Sequence, residues 1–138
     1  VNSLFRVQKY YIFLKPSAVL SCFLHPYGRN ILAGDLLSYK GAIFENLVAD
    51  IFGKMERKLY YYHKDGGIEL DFVIRYCGEC VPVECKATTG NSKSLRTVLK
   101  HPEKYHVNYC IKLGDYNIGR KENIFTIPMY MAFMLTSV

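Results

Sequence analysis

From Ile68 to Ala87 the chain reads IELDFVIRYCGECVPVECKA, two alternating stretches of apolar and polar residues joined by Cys77-Gly78. Strand side chains point to opposite faces with a period of two. The first stretch therefore predicts a strand with Ile68, Leu70, Phe72 and Ile74 on one face and Glu69, Asp71, Val73 and Arg75 on the other. The second predicts a strand with Val81, Val83, Cys85 and Ala87 on its apolar face and Pro82, Glu84 and Lys86 opposite. If Cys77-Gly78 is the turn of a hairpin, Asp71 falls directly across from Glu84, with Lys86 further along the same charged face. Like charges facing each other across a ladder are destabilising. A divalent cation held by both carboxylates would offset the repulsion.

The clearest helix starts near Gly41. Phe44, Leu47, Val48, Ile51, Phe52 and Met55 recur at helical spacing and form a wide apolar stripe. Glu45 falls at the edge of that stripe, beside Val48 and Phe52. Gly41 is expected to let the helix approach a sheet closely. Leu59 to His63 predicts a strand, Lys64 to Gly67 a turn, and Thr88 to Asn91 a loop. Ser92 to Lys100 predicts a short helix with Leu95, Val98 and Leu99 inward, stopped by Pro102. Asn108 to Leu113 and Asn123 to Ile127 predict strands, and Pro128 to Leu135 a closing helix. Before all of these, Gln8 to Phe13 reads as a short strand. Pro16 then opens a helix with Val19, Leu20, Phe23 and Leu24 inward, ended by Pro26-Tyr27-Gly28. The order predicts an α/β domain, a mixed sheet flanked by helices. No internal repeat, low-complexity stretch or interdomain linker interrupts it.

Composition narrows the picture. The chain has 138 residues and is 50% hydrophobic, which suits one domain with a real core and argues against disorder. Eighteen Lys and Arg against twelve Asp and Glu give a formal charge of +6, compatible with a nucleic-acid partner without requiring one. Five cysteines, odd in number and irregular in spacing, argue against a disulfide framework and lead us to expect a reducing cytoplasm. No apolar run reaches the length of a membrane span, and there is no signal peptide. The first residue is Val1, not Met, which leads us to expect a piece of a longer protein.

Three constellations carry chemistry. The first is Glu45, Asp71, Glu84 and Lys86. Divalent-metal cleavage of a phosphodiester needs carboxylates that bind a hard cation through oxygen, and a water acidified by that cation. Asp71 and Glu84 can share a metal, Glu45 can approach from the helix as a further ligand, and Lys86 can reach the water or the phosphate. The plain alternative is a solvated hairpin face with an incidental Glu-x-Lys. The second is Cys77-Gly78-Glu79-Cys80. It has the spacing of half a zinc knuckle, but no second pair follows, so a turn with unpaired thiols is the simpler reading. The third is the basic set Lys93, Arg96, Lys100, His101 and Lys104. It reads either as phosphate contacts beside a scissile bond, with Lys93, Arg96 and Lys100 the nucleic-acid candidates, or as a solvated helix face. No Ser/His/Asp or Cys/His pairing suggests itself, and there is no P-loop motif.

At these residues the sequence resembles a known group. Gly41-Ala42-Ile43-Phe44-Glu45-Asn46-Leu47-Val48, then Leu59-Tyr60-Tyr61-Tyr62, Glu69-Leu70-Asp71-Phe72-Val73 and Val83-Glu84-Cys85-Lys86, look like the C-terminal domain of unknown function of predicted AAA+ family ATPases. That domain is similar to the PD-(D/E)XK, or restriction-endonuclease-like, nucleases. The resemblance spans roughly Tyr39 to Leu113. Lys9-Tyr10-Tyr11 is similar to the family's lead-in, whereas Phe13-Leu14-Lys15 departs from its usual Asp-x-Gly, and Cys85 stands where the family usually has Val. The resemblance implies a single restriction-endonuclease-like domain: a lead-in over 1–38, a core over 39–113, and a strand and helix over 114–138. An ATPase domain would precede it in the longer protein. It also implies a cytoplasmic Mg2+- or Mn2+-dependent DNA endonuclease with Asp71, Glu84 and Glu45 as metal ligands and Lys86 positioning the nucleophile. Related domains include non-catalytic members, so the alternative is a nucleic-acid-binding or assembly module of the ATPase. The aromatics Tyr10, Tyr11 and Phe13 would then pack on the ATPase domain.

Overall fold

A computed structural model describes residues 40–64, 67–86 and 91–135. The expected strand and helix before residue 39, with Tyr10, Tyr11 and Phe13, lie outside the described residues. The elements run α1 (Lys40–Lys54), β1 (Tyr60–Lys64), β2 (Ile68–Tyr76), β3 (Glu79–Lys86), α2 (Lys93–Leu99) and α3 (Pro102–Tyr105). They continue with β4 (Cys110–Gly114), β5 (Gly119–Lys121), β6 (Ile124–Pro128) and a 3-10 helix (Met129–Met134). One six-stranded mixed sheet has the order β1-β2-β3-β4-β6-β5. The β1–β2, β2–β3 and β5–β6 pairs are antiparallel, while β3–β4 and β4–β6 are parallel. The α/β class and the mixed sheet flanked by helices are as the pattern predicts.

The β2–β3 hairpin turns at Cys77-Gly78, both at positive φ (49° and 81°), the conformation of the two-residue turn that matches strand twist. Its register pairs Phe72 with Val83 and Tyr76 with Glu79, the constant sum expected from that turn. The faces differ from simple alternation. Against β1, β2 carries one extra residue: Tyr60 pairs Val73, but Tyr62 pairs Leu70. A bulge at this point moves Leu70 to the same face as Val73, and both pack in one cluster with Tyr62, Leu95, Val98, Val107 and Cys110. Phe72, Ile74, Val81, Val83 and Cys85 pack on the other face with Val48, Ala49 and Phe52 of α1. The expected common face of Leu70, Phe72 and Ile74 is thus split by the bulge.

The face read as charged and solvated is covered as well. Val73, Pro82 and Glu84 are all buried, Val73 against Leu95 and Val98 of α2, because a sheet with parallel central strands is buried on both faces.

Several smaller expectations change. Leu47 is 44% exposed, and Ala49 takes its place in the buried arc of α1. At about 100° per residue, Glu45 then lies between Phe52 and Ala49, inside that arc rather than at its edge. Gly41 makes no close approach, since a Cβ there would meet nothing within 4 Å. Pro102 opens α3 at its first turn as well as following α2. The closing helix is 3-10, and β5, a three-residue exposed strand, has no hydrophobic pattern to announce it.

Arg57, just after α1, is buried and donates to the carbonyls of Arg75, at 2.5 Å, and Leu135. It ties the end of α1 to β2 and to the residue after the 3-10 helix. The four described cysteines are unpaired: Cys77 and Cys80 exposed, Cys85 and Cys110 buried. This is the distribution expected of a turn with free thiols.

Candidate active site

The four residues singled out by pattern come from α1, β2 and β3. They meet where β2 and β3 part, beyond the Phe72–Val83 pair. β3 holds Glu84 and Lys86 two residues apart, so both project toward the α2 side of the sheet. The Lys86 ammonium lies 2.7 Å from Glu84 Oε1. Glu84 is buried at 6% exposure, and its second oxygen, Oε2, has no hydrogen-bond partner among the described residues. A buried polar atom without a partner carries a desolvation cost of roughly 1–3 kcal/mol, and more when charged.

Asp71 sits in the bulge. Its Oδ2 accepts a hydrogen bond from the Cys85 backbone N–H at 2.8 Å, where a continued ladder would have put a β2 carbonyl. Burial pushes the Asp71 carboxyl up to about 6, with Glu45 and Glu84 adding to the rise and the Cys85 N–H and Lys86 opposing it. Glu45 reaches the same neighbourhood from α1. Burial raises its pKa, nearby Glu69 raises it further, and Lys86 lowers it. Burial alone would lower the Lys86 pKa, but the hydrogen bond to Glu84 and the charges of Glu84, Asp71 and Glu45 outweigh it and raise it. The Cys85 thiol is held far above its ordinary range by burial and then by Asp71, Glu45 and Glu84, so it is no nucleophile.

Lys86 thus pairs directly with Glu84 and lies in the electrostatic field of Asp71 and Glu45. Among the described residues no group of three His, Cys, Asp or Glu side chains forms a ready metal cage. Lys86 occupies one oxygen of Glu84 and the Cys85 N–H one of Asp71, which leaves Glu84 Oε2 as the unpartnered ligand atom. Magnesium does not require such a cage, for it usually binds through one or two carboxylates, its own waters and substrate phosphate.

The close passage of β4 fixes Lys86 from the other side. Gly114 pairs with Lys86, and a Cβ at Gly114 would stand 2.5 Å from the Lys86 carbonyl and 2.5 Å from the Tyr116 ring. Of the basic set, Arg96 and Lys100 line a groove on the α2 side, whereas Lys93 is exposed outside its lining and His101 and Lys104 are exposed farther along. Sequence reasoning missed Glu69, Ser92, Lys112 and Lys121. Glu69 faces Glu45 only because of the bulge. The signal for Lys112 was its strand parity: it shares a face with Cys110, and its register partner is Glu84.

No curated protein and no solved structure matches the chain. A family model described as "Domain of unknown function (DUF4143)" matches residues 40–132, which takes in α1, the whole sheet and all four site residues. That match covers about two thirds of the chain, and the protein belongs to this family.

Proposed function

We propose that this domain is a magnesium- or manganese-dependent phosphodiester hydrolase. It would be a DNA endonuclease-like unit on a restriction-endonuclease-like core, carried by an AAA+ ATPase. The observation that carries the reading is Glu84 Oε2, buried and unpartnered beside Lys86 and in the field of Asp71. The topology is consistent with it: a helix bearing Glu45, a hairpin bearing Asp71 and Glu-x-Lys, then a crossover to a parallel strand. Asp71 and Glu84 would hold the cation, with Glu45 as a further direct or water-mediated ligand. Bound there, it would acidify a water and offset charge on the phosphorane.

The side chains supply the rest. Lys86 is held as an ammonium by Glu84, so it acts as a donor: it orients the attacking water and stabilises negative charge that develops in the transition state. Glu84, anchored by Lys86, keeps its free oxygen aimed without reorganisation. Cys85, through its N–H, fixes Asp71 Oδ2.

The Lys86–Glu84 pair also favours a second reading. An ammonium 2.7 Å from the carboxylate partly neutralises the site without metal, as suits a nucleic-acid-binding or assembly module that kept the fold without turnover. Nicking of supercoiled plasmid over a range of magnesium and manganese, with a chelator control, separates the two. Metal-dependent nicking by wild type that Glu84→Gln abolishes supports the hydrolase. Equal activity of wild type and Glu84→Gln, or an inert wild type with the ATPase domain restored, establishes the binding module instead.

A further inference from the structure

The α2 side of the sheet carries a second feature. A groove of about 540 Å³ runs between α2 and the β5–β6 hairpin. Four cations line it, Arg96, Lys100, Lys112 and Lys121, against a single carboxylate, Glu122. They come from α2 and its C-cap, β4 and β5, so the fold gathers residues that sequence spacing does not. Ser92 also lines it. The residue is 4% exposed, and its hydroxyl has no hydrogen-bond partner among the described residues. Ser92 stands at the N-cap position of α2 yet makes no capping bond. A buried hydroxyl in that position is a donor in want of an acceptor.

The groove is joined to the four-residue site by register. Glu84 pairs with Lys112, and Lys112 with Thr126, on adjacent parallel strands. The three side chains form a row on one face, from Glu84 at the site to Thr126 in the groove. Two strand spacings make this row about 10 Å long, too long for one phosphate.

We propose that this groove is the track of a nucleic-acid strand. Its phosphodiester backbone would be held by Arg96, Lys100, Lys112 and Lys121, with a phosphate oxygen on the Ser92 hydroxyl, and led to Glu84. The proposal rests on the reading of Glu84 as part of a phosphodiester site, for which it supplies the substrate class and path. Binding through backbone phosphate is independent of base sequence and falls with salt as counterions are released.

The test is fluorescence anisotropy with labelled single-stranded and duplex oligonucleotides, in a chelator so that no hydrolysis intervenes, across a salt series. The variants are R96Q/K100Q/K121Q, whose three side chains are exposed, the control pair K58Q/K64Q on and before β1, and S92A. Circular dichroism confirms folding of each. The triple variant is expected to flatten the slope of log affinity against log salt by about two to three, and the control pair by less than about one. S92A is expected to weaken binding about fivefold with stability unchanged or higher, since it removes a buried orphan hydroxyl. Equal slopes for the triple variant and the control pair overturn the proposal. So does full competition by inorganic phosphate at low millimolar concentration, which marks a single-anion site, or by polyglutamate as effectively as by oligonucleotide. Groove-dependent binding without nicking leaves the track standing while hydrolysis fails. Nicking that the triple variant retains at wild-type affinity does the reverse.

Discussion

The Asp71 carboxylate takes the place of a backbone carbonyl. Its Oδ2 lies 2.8 Å from the Cys85 N–H, so the hydrogen bond that would continue the β2–β3 ladder is made by a side chain. The two strands can then diverge without leaving that N–H unpaired, and the carboxyl is held at the point of divergence. The arrangement makes one ionisable group part of the sheet's hydrogen bonding.

Stability should therefore follow the titration of Asp71. Its folded pKa is raised from 3.8 to about 6, because the folded state favours the neutral acid. The ionised form is penalised, so this contribution to stability is greatest below the unfolded pKa. It is lost as pH rises from about 4 to 6, by at most about 3 kcal/mol. Asp71→Asn keeps an acceptor for the Cys85 N–H and cannot ionise. The difference between variant and wild type in urea midpoint should grow in the variant's favour from pH 4 to pH 6 and level off above. If the proposed cation site is real, saturating magnesium at pH 8 should raise the wild-type midpoint and leave the variant's unchanged. A pH-independent difference would show that Asp71 is not desolvated.

Lys86→Ala should be a structural lesion as well as a chemical one. Sequence pattern alone treats Lys86 as a surface residue on a solvated face, for which a change within about 0.5 kcal/mol is usual. The structure pairs it with buried Glu84, which would be left with neither oxygen partnered among the described residues. Breaking a buried pair from one side costs about 3–5 kcal/mol. The Lys86 side chain is 34% exposed, so screening reduces the expectation to about 1–3 kcal/mol. The double variant Lys86→Ala, Glu84→Gln should recover part of the loss, as a thermal or chemical unfolding series would reveal.

Gly114→Ala should disturb the site without touching a charged group. The added methyl would overlap the Lys86 carbonyl and the Tyr116 ring, each 2.5 Å away. The ring can shift but the paired backbone cannot, so a loss of roughly 1–3 kcal/mol is expected, as for overpacking. Backbone amide shifts by NMR should concentrate at Lys86 and Gly114. An unperturbed Lys86 amide would mean that β4 yields instead.

Much of this arrangement was legible in the sequence. The two-residue turn at Cys77-Gly78 set the hairpin register, but the ladder ends at Phe72–Val83, so the expected pairing of Asp71 with Glu84 is not made and Asp71 bonds the Cys85 N–H instead. The stripe of α1 placed Glu45 near them. What alternation could not reveal was the bulge, because an extra residue in β2 is defined by its pairing with β1, a long-range contact. The same holds for burial of the second face. Pro82, Val73 and Glu84 look exposed by alternation but are buried, because the parallel β3–β4 crossover leaves the sheet covered on both faces. Lys112 and Lys121 joined the picture through strand order, which local pattern does not encode. The family match, to a domain of unknown function, covers residues 40–132.

The bulge has a further consequence. β2 acts as a stitch between the two layers of the molecule. Leu70 and Val73 pass to the α2 side, Phe72 and Ile74 to the α1 side, and Asp71 hangs where the thread crosses. A slight slide of one helix layer past the other changes how deeply that crossing is enclosed. The proton affinity of Asp71 is thus a gauge of how the layers are seated.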